Sequence, residues 1–250
     1  MNKHSLKSIQ EKEEEIKNMF DHISYKYDFI NHILSFGIDF FWRKKIICLL
    51  DKFNKEFNKG KKIKSILDLA TGTGDLAILL ANKFDNASCI VGLDPSEKML
   101  KKAEKKIKNN FLEKKIRLIK GYSQYIPFSN ETFDAVTISF GIRNFQYIHL
   151  SLREIYRILK PLGILAILEF SKPSNYWINK IYYFYSHFIM NRIGNFLSNN
   201  HFAYNYLAKS IQSFFYCENK MNKLLSYHKF NTIYIKKLTF EIASVYLSKK

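Results

Sequence analysis

Cysteine is scarce in this chain, and its three copies stand apart. Cys48, Cys89 and Cys217 form no C-x-x-C pair and have no histidine at ligand spacing. That excludes a disulfide framework and a zinc site, leaves no metal to expect, and assigns the three thiols to the buried core. Long apolar runs are missing too. None approaches the ~18 residues of a membrane span. The opening Met1-Asn2-Lys3-His4-Ser5 leads into the charged run Glu11 to Glu15 instead of an apolar stretch, so no secretory signal is visible and cytoplasmic residence is the expectation. No internal repeat or low-complexity domain is present.

Acidic residues are few, 22 against 40 basic ones, giving a formal charge of +18. A clustered excess of cations would suit nucleic acid. Only six of the forty are arginine, however, and the lysines are scattered over helix surfaces. Compositional bias therefore stands ahead of nucleic-acid binding, and no nucleic-acid partner is expected. An anionic membrane surface is a further partner that such a charge suits.

What is abundant is core material. At 250 residues, 47% hydrophobic and 16% aromatic, the chain has enough for one α/β domain with an elaboration. Its organising stretch is Ile66-Leu67-Asp68-Leu69-Ala70-Thr71-Gly72-Thr73-Gly74-Asp75-Leu76, where an apolar run breaks into paired glycines before an apolar-periodic segment resumes. This reads as strand, tight turn and helix. The glycines let a ligand approach the backbone, and the helix start aims free N–H groups into the same space. Twenty residues past Gly74 a second strand ends in Asp94, at the distance where such folds meet ribose hydroxyls. The turn also satisfies the dinucleotide fingerprint. Asp68 tips the balance, because a carboxylate there opposes a pyrophosphate and suits a ligand carrying an ammonium and a sulfonium, as S-adenosylmethionine does. The plainer alternative is that Asp68 and Asp94 are caps.

Along the chain, residues 5–20 read as an amphipathic helix, followed by an aromatic, polar stretch and a helix from about Phe40 to Phe53. This N-terminal segment is either a lid or a helical pair packed on the sheet. Then strands 63–69, 87–94 and 116–120 alternate with helices 75–84 and 96–109. A strand over Ala135–Ser139, a helix over His149–Leu159 and a strand over Gly163–Phe170 continue the pattern, which implies a parallel sheet. Beyond Ser171 aromatics crowd an insertion, including Tyr176, Trp177, Tyr182, Tyr185, Phe188, Phe196, Phe202, Tyr204 and Phe215. They build either the core of extra helices or an apolar chamber for a large substrate. A helix near Glu218–Tyr227 and strands near Asn231–Lys237 and Glu241–Leu247 close the chain.

Taken together these segments resemble the UbiE/MenG family of quinone-biosynthesis C-methyltransferases, class I S-adenosylmethionine enzymes. The resemblance is carried by Tyr27-Asp28-Phe29-Ile30-Asn31, the glycine turn, Gly92-Leu93-Asp94-Pro95-Ser96, Ser139-Phe140-Gly141-Ile142-Arg143-Asn144, Leu168-Glu169-Phe170-Ser171-Lys172-Pro173 and Tyr206-Leu207-Ala208-Lys209-Ser210-Ile211. It implies an α/β Rossmann-like fold with a seven-stranded, mostly parallel sheet, an N-terminal helical lid and a helical insertion after strand five. The expected division is a lid over 1–60, a cofactor-binding core over 61–170, the aromatic insertion over 171–217 and a C-terminal helix with strands over 218–250.

The implied reaction is S-adenosylmethionine-dependent methylation of a ring carbon on a polyprenylated quinol, with demethylmenaquinol to menaquinol first. A 2-methoxy-6-polyprenyl-1,4-benzoquinol of ubiquinone biosynthesis is the alternative, and an RNA methyltransferase a more distant one. The resemblance puts Arg143, Asn144 and Tyr27 at the reacting ring. Asp68, Gly72, Thr73, Gly74, Asp94, Tyr122, Ser123 and Ser139 go to the cofactor. Tyr122 stands where the family usually carries Asp or Asn, so adenine recognition departs from the pattern. Leu162 and Lys229 replace customary glycines, a change that strains loops more than chemistry. Membrane contact and homo-oligomerisation are both compatible with the family.

Overall fold

The computed structural model describes residues 3–58, 61–85, 87–185 and 219–250, together with Tyr206, Lys209–Ile211, Ser213, Phe214 and Tyr216. Seven strands form one sheet in the order β3-β2-β1-β4-β5-β7-β6. They are β1 (Ser65–Leu69), β2 (Cys89–Asp94), β3 (Ile116–Lys120), β4 (Phe133–Ser139), β5 (Leu159–Phe170), β6 (Asn231–Leu238) and β7 (Ala243–Lys249). The first five run parallel, and β7 joins β5 antiparallel with β6 outside it. Strand order reverses between β1 and β4, so their carboxyl ends open the crevice where such sheets take ligands.

The core lies on both faces of this sheet. Ile66 and Leu67, adjacent in β1, go to opposite faces and into two separate apolar clusters. Helices α4 (Asp75–Lys83), α5 (Glu97–Asn109) and α6 (Ile148–Ile158) provide the crossovers. In α5 the buried Met99, Leu100, Ala103 and Ile107 make one stripe, and Ser96 caps its start by accepting from the Met99 N–H at 3.2 Å. β5 begins at Leu159, earlier than the Gly163 expected, because Leu159 already pairs with Phe133 across a register shift. Leu162 and Lys229 both sit at positive φ, 65° and 68°.

Three helices precede the sheet: α1 (Lys3–Ile23), α2 (Tyr27–Leu34) and α3 (Ile38–Phe57). α3 lays Trp42, Ile46, Leu50 and Phe53 into the core against β5 and α4. α1 packs on α5, where Asp21 Oδ1 accepts from Ser96 Oγ at 2.6 Å and from the Lys98 N–H at 3.1 Å. α2 closes the segment down on the glycine turn, since Thr73 Oγ1 donates to Asp28 Oδ1 at 2.6 Å. Of the insertion, α7 (Tyr176–Phe184) is described and buries none of its residues. Phe188, Phe196, Phe202, Tyr204, Leu207, Ala208, Phe215, Cys217 and Glu218 lie outside the described residues. A last helix, α8 (Asn219–Tyr227), packs on β6.

The thiol expectation needs correction at Cys48, which is exposed on α3, while Cys89 is half-buried at the start of β2 and packs against one core cluster. Among the described residues no helix is long and apolar enough to cross a membrane, and no metal-holding group of His, Cys, Asp or Glu is found.

Candidate active site

Two cavities meet above the carboxyl ends of β1, β2 and β4. The smaller, about 110 Å³, is lined by Gly72, Asp94, Tyr122, Ser123, Ser139 and Asn144 among others. The larger, about 480 Å³, has Arg143, Arg43 and Asp39 in a wall otherwise dominated by Trp42, Phe140, Phe170 and the α7 side chains Ile178, Ile181 and Tyr182. Tyr27 and Phe140 line both and so form the partition between them.

The small cavity is shaped by the glycine turn. Ala70 and Phe140, at the ends of β1 and β4, hold positive φ of 57° and 55°, strain of the kind that clusters at functional sites. Gly72 (φ 56°) turns its N–H onto Asp94 Oδ2 at 2.9 Å, and the Ser96 N–H reaches Oδ1 at 2.9 Å. Burial pushes the Asp94 carboxyl up to about 6, with those two N–H groups pulling the other way. Its remaining lone pairs suit a pair of neighbouring hydroxyls. Ser139 Oγ is buried with no hydrogen-bond partner among the described residues, a polar atom waiting on the cavity wall. An acidic diol acceptor, an orphaned hydroxyl and backbone freed by glycine fit the sugar and amino-acid parts of S-adenosylmethionine.

Three residues expected at the cofactor line neither cavity. Asp68 sits behind the turn, where Thr71 Oγ1 and Thr137 Oγ1 donate to it at 2.7 and 2.8 Å. Burial pushes its carboxyl up to about 6 as well. Thr73 is engaged by Asp28 and by Lys106 Nζ at 3.1 Å, and Gly74 packs against Ala103. These residues hold the turn in shape. Ser123 Oγ shares a 2.7 Å hydrogen bond with Ser151 Oγ.

Arg143 and Asn144, neighbours in a 3-10 turn over Ile142–Asn144, face different cavities. Asn144 Oδ1 accepts from the Tyr206 hydroxyl at 3.1 Å. Arg143 Nη1 donates to Glu169 Oε1 at 2.7 Å and to the Phe140 carbonyl. Its Nε is buried without a partner among the described residues, and its Cζ lies 5.2 Å from the centre of the Phe170 ring. Burial works against its charge, but Glu169 and the nearby tyrosines hold the guanidinium above its ordinary value. It is a hydrogen-bond donor and a fixed positive charge, never a base. Burial raises the Tyr27 hydroxyl, and the Arg143 and Arg43 guanidiniums pull it back.

Several site residues carried no assigned role in the sequence. Glu169 had a signal: it is an acid inside an otherwise apolar strand. Asp28, Asp39 and Arg43 had none, since charges at helical spacing look like a solvated face.

A sequence model of the ubiE/COQ5 methyltransferase family matches residues 8–250. The ubiquinone/menaquinone biosynthesis C-methyltransferase UbiE of Wigglesworthia glossinidia brevipalpis is 41% identical over 88% of this chain and 85% of that protein. The demethylmenaquinone methyltransferase of Porphyromonas gingivalis is 36% identical over 96% and 94% of the two chains. Among solved structures, a SAM-dependent methyltransferase of Thermotoga maritima superposes with a TM-score of 0.62 at 16% identity, covering 94% of this chain and 99% of that one, a likeness of fold. The chain belongs to the ubiE/COQ5 methyltransferase family.

Proposed function

We propose that this protein transfers a methyl group from S-adenosylmethionine to a ring carbon of a polyprenylated quinol, demethylmenaquinol giving menaquinol. The observation that carries this reading is the pair of cavities sharing Tyr27 and Phe140, one holding the Asp94 carboxylate and the Ser139 hydroxyl, the other walled mainly by apolar side chains with the buried Arg143 cation among them. When bound, S-adenosylmethionine supplies an electrophilic methyl on a sulfonium. Asp94 receives the ribose hydroxyls, Gly72 and Ser139 bound the rest of the cofactor, and Tyr122 and Ser123 flank the adenine.

A neutral quinol carbon is a weak nucleophile, and ionising the neighbouring hydroxyl moves electron density onto it. Arg143 stabilises that phenolate, whose proton passes to water, and Tyr27 orients the ring at the partition. After transfer the ring carbon loses its hydrogen as a proton and aromaticity returns. Asn144, on the cofactor side, fixes the approach. The aromatic and aliphatic walls of the chamber take the prenyl chain.

The same chamber opens among exposed apolar side chains. Phe36, Ile181 and Phe240 line it and are 78%, 69% and 72% exposed. Near them Lys44 Nζ lies 4.4 Å from the Phe40 ring centre and Lys180 Nζ 5.9 Å from that of Trp177. Aromatic rings with lysines beside them suit the headgroup region of an anionic membrane, and we assign the lipid substrate's entry to this rim.

The test offers labelled S-adenosylmethionine with a demethylmenaquinol, a methoxy-polyprenyl-benzoquinol and bulk RNA. Label in the naphthoquinol is expected. Label in the benzoquinol alone moves the substrate to the alternative ring, and label in RNA alone overturns the reading.

A further inference from the structure

The polar end of the chamber holds a second guanidinium that the reaction has not yet used. Arg43, on α3, lines the chamber with its side chain 11% exposed. Its Nη1 donates to Asp39 Oδ2, and among the described residues its Nε and Nη2 make no hydrogen bond. Asp39 does the structural work of the α2–α3 corner: it also accepts from Ser35 Oγ at 2.6 Å and lies 3.0 Å from His32 Nδ1. Among the described residues Arg43 is therefore anchored at one nitrogen and open at the others.

Its position relative to Arg143 is specific. The Phe140 and Phe170 rings pack with centroids 4.6 Å apart. Arg43 Cζ is 5.7 Å from the centre of Phe140, and Arg143 Cζ is 5.2 Å from that of Phe170. One guanidinium thus stands beside each ring of the pair. Asp39 and the nearby Asp75 carboxylate sustain this second cation's charge, which leaves its other guanidinium nitrogens for a ligand. A quinol has oxygens at opposite ends of its ring, and two separated cations match that shape.

We propose that Arg43 is a substrate-positioning residue that binds the second quinol oxygen, the one para to the hydroxyl ionised at Arg143. This rests on the quinol reading above. The ring is then held at both oxygens, with its reacting carbon turned toward the cofactor and the neighbouring prenyl carbon toward the apolar wall. Asp39 sets the guanidinium's direction.

The test compares two substrates on wild-type protein, Arg43→Gln and Arg43→Lys: a demethylated naphthoquinol and its deoxy analogue lacking the oxygen remote from the reacting carbon. In the wild type the deoxy analogue is expected to show a KM about tenfold higher, the worth of one charged hydrogen bond. Arg43→Gln should raise the KM of the quinol about tenfold, to that of the deoxy analogue, so that the preference disappears, with kcat and the cofactor Kd within about threefold. Arg43→Lys, which keeps the charge beside Asp39, should retain part of the preference and covers the case in which the glutamine variant does not fold. An undiminished preference in either folded variant overturns the proposal, as does a loss shared equally by both substrates. No transfer to any quinol by the wild type overturns the functional reading itself, a separate and recognisable outcome.

Discussion

Glu169 holds Arg143 inside the protein, with the two side chains only 0% and 4% exposed. The pair joins the end of β5 to the turn after β4, so the cation presented to the chamber is fixed by a strand and not by a loop. Breaking a buried pair strands a charge, at a cost of ~3–5 kcal/mol. Glu169→Gln should lower the melting temperature by roughly 6 to 20 °C, using ~2–4 °C per kcal/mol for a chain of this size. An unchanged melting curve would show that the pair is not what holds Arg143.

Arg143→Ala should reduce methyl transfer by at least ~100-fold, the scale of a lost oxyanion donor. Cofactor affinity, measured by calorimetry, should stay within about threefold, because Arg143 lines the other cavity. Parallel loss of both would make Arg143 a structural residue. Tyr27→Phe keeps the partition's shape and removes one hydroxyl, so a fall in kcat of about tenfold with cofactor affinity preserved is expected.

Cofactor binding should depend on pH through Asp94. Burial raises its carboxyl to about 6, so the carboxylate that accepts ribose hydroxyls is present above that value and lost below it. The Kd for S-adenosylmethionine should weaken as pH falls from 7 to about 5, and Asp94→Asn should bind weakly at every pH with no such slope. For folding of the free protein the direction is opposite. A folded value raised above the unfolded one means that the favourable proton is held below the unfolded range near 3.8 and lost as pH rises through about 6. Asp68, raised by burial to about 6 in the same way, adds to that pH dependence without lining the cofactor cavity. A slope in Kd that survives in Asp94→Asn would point to another group.

Leu162 and Lys229 occupy the left-handed region, where a side chain costs ~1–2 kcal/mol. Glycine removes that strain and loses part of the gain to chain entropy. Leu162→Gly and Lys229→Gly should each stabilise the protein by ~0.5–1 kcal/mol in denaturant titration, with activity unchanged. Destabilisation by both would mean that their side chains contribute more than their backbones cost.

If the rim of the chamber meets lipid, replacing Phe36, Ile181 and Phe240 together by serine should weaken binding to vesicles containing anionic lipid by about 1,000-fold, since each apolar side chain is worth ~1.5 kcal/mol or more when buried and each 1.4 kcal/mol is about tenfold. Transfer to a short-chain quinol in solution should survive. Equal vesicle binding by the two proteins would detach the rim from the membrane, and a change confined to sedimentation would make it a contact between copies of the chain.

Much of this was legible in the chain because parallel strands buried on both faces are written as continuous apolar runs. Residues 90–93 and 164–168 are examples, and the turn at Gly72 and Gly74 follows from glycine's freedom. The exchange of partners behind the turn was not legible. Asp68 looks like a ligand to a cation, yet Thr71 and Thr137 use both of its oxygens, and nothing in the spacing of Asp68 and Thr137 says that β1 and β4 are neighbours. The chamber is harder still. Trp42 Nε1 donates to Thr239 Oγ1 at 2.8 Å across 197 residues, so most of the wall comes from the N-terminal helices and the β6–β7 corner, not from the aromatic insertion alone. Arg43 reads in sequence as one of three consecutive cations, and only the fold separates it from Lys44 and Lys45.

The most direct test of the account is where the transferred methyl lands. Wild-type protein would be given S-adenosylmethionine with an isotope-labelled methyl and a demethylmenaquinol in detergent, and the product would be examined by nuclear magnetic resonance. The account predicts a methyl bonded to the unsubstituted ring carbon, both oxygens free, and none of it with Arg143→Ala. A methyl ether on either oxygen, or product of the same kind from the variant, would contradict it.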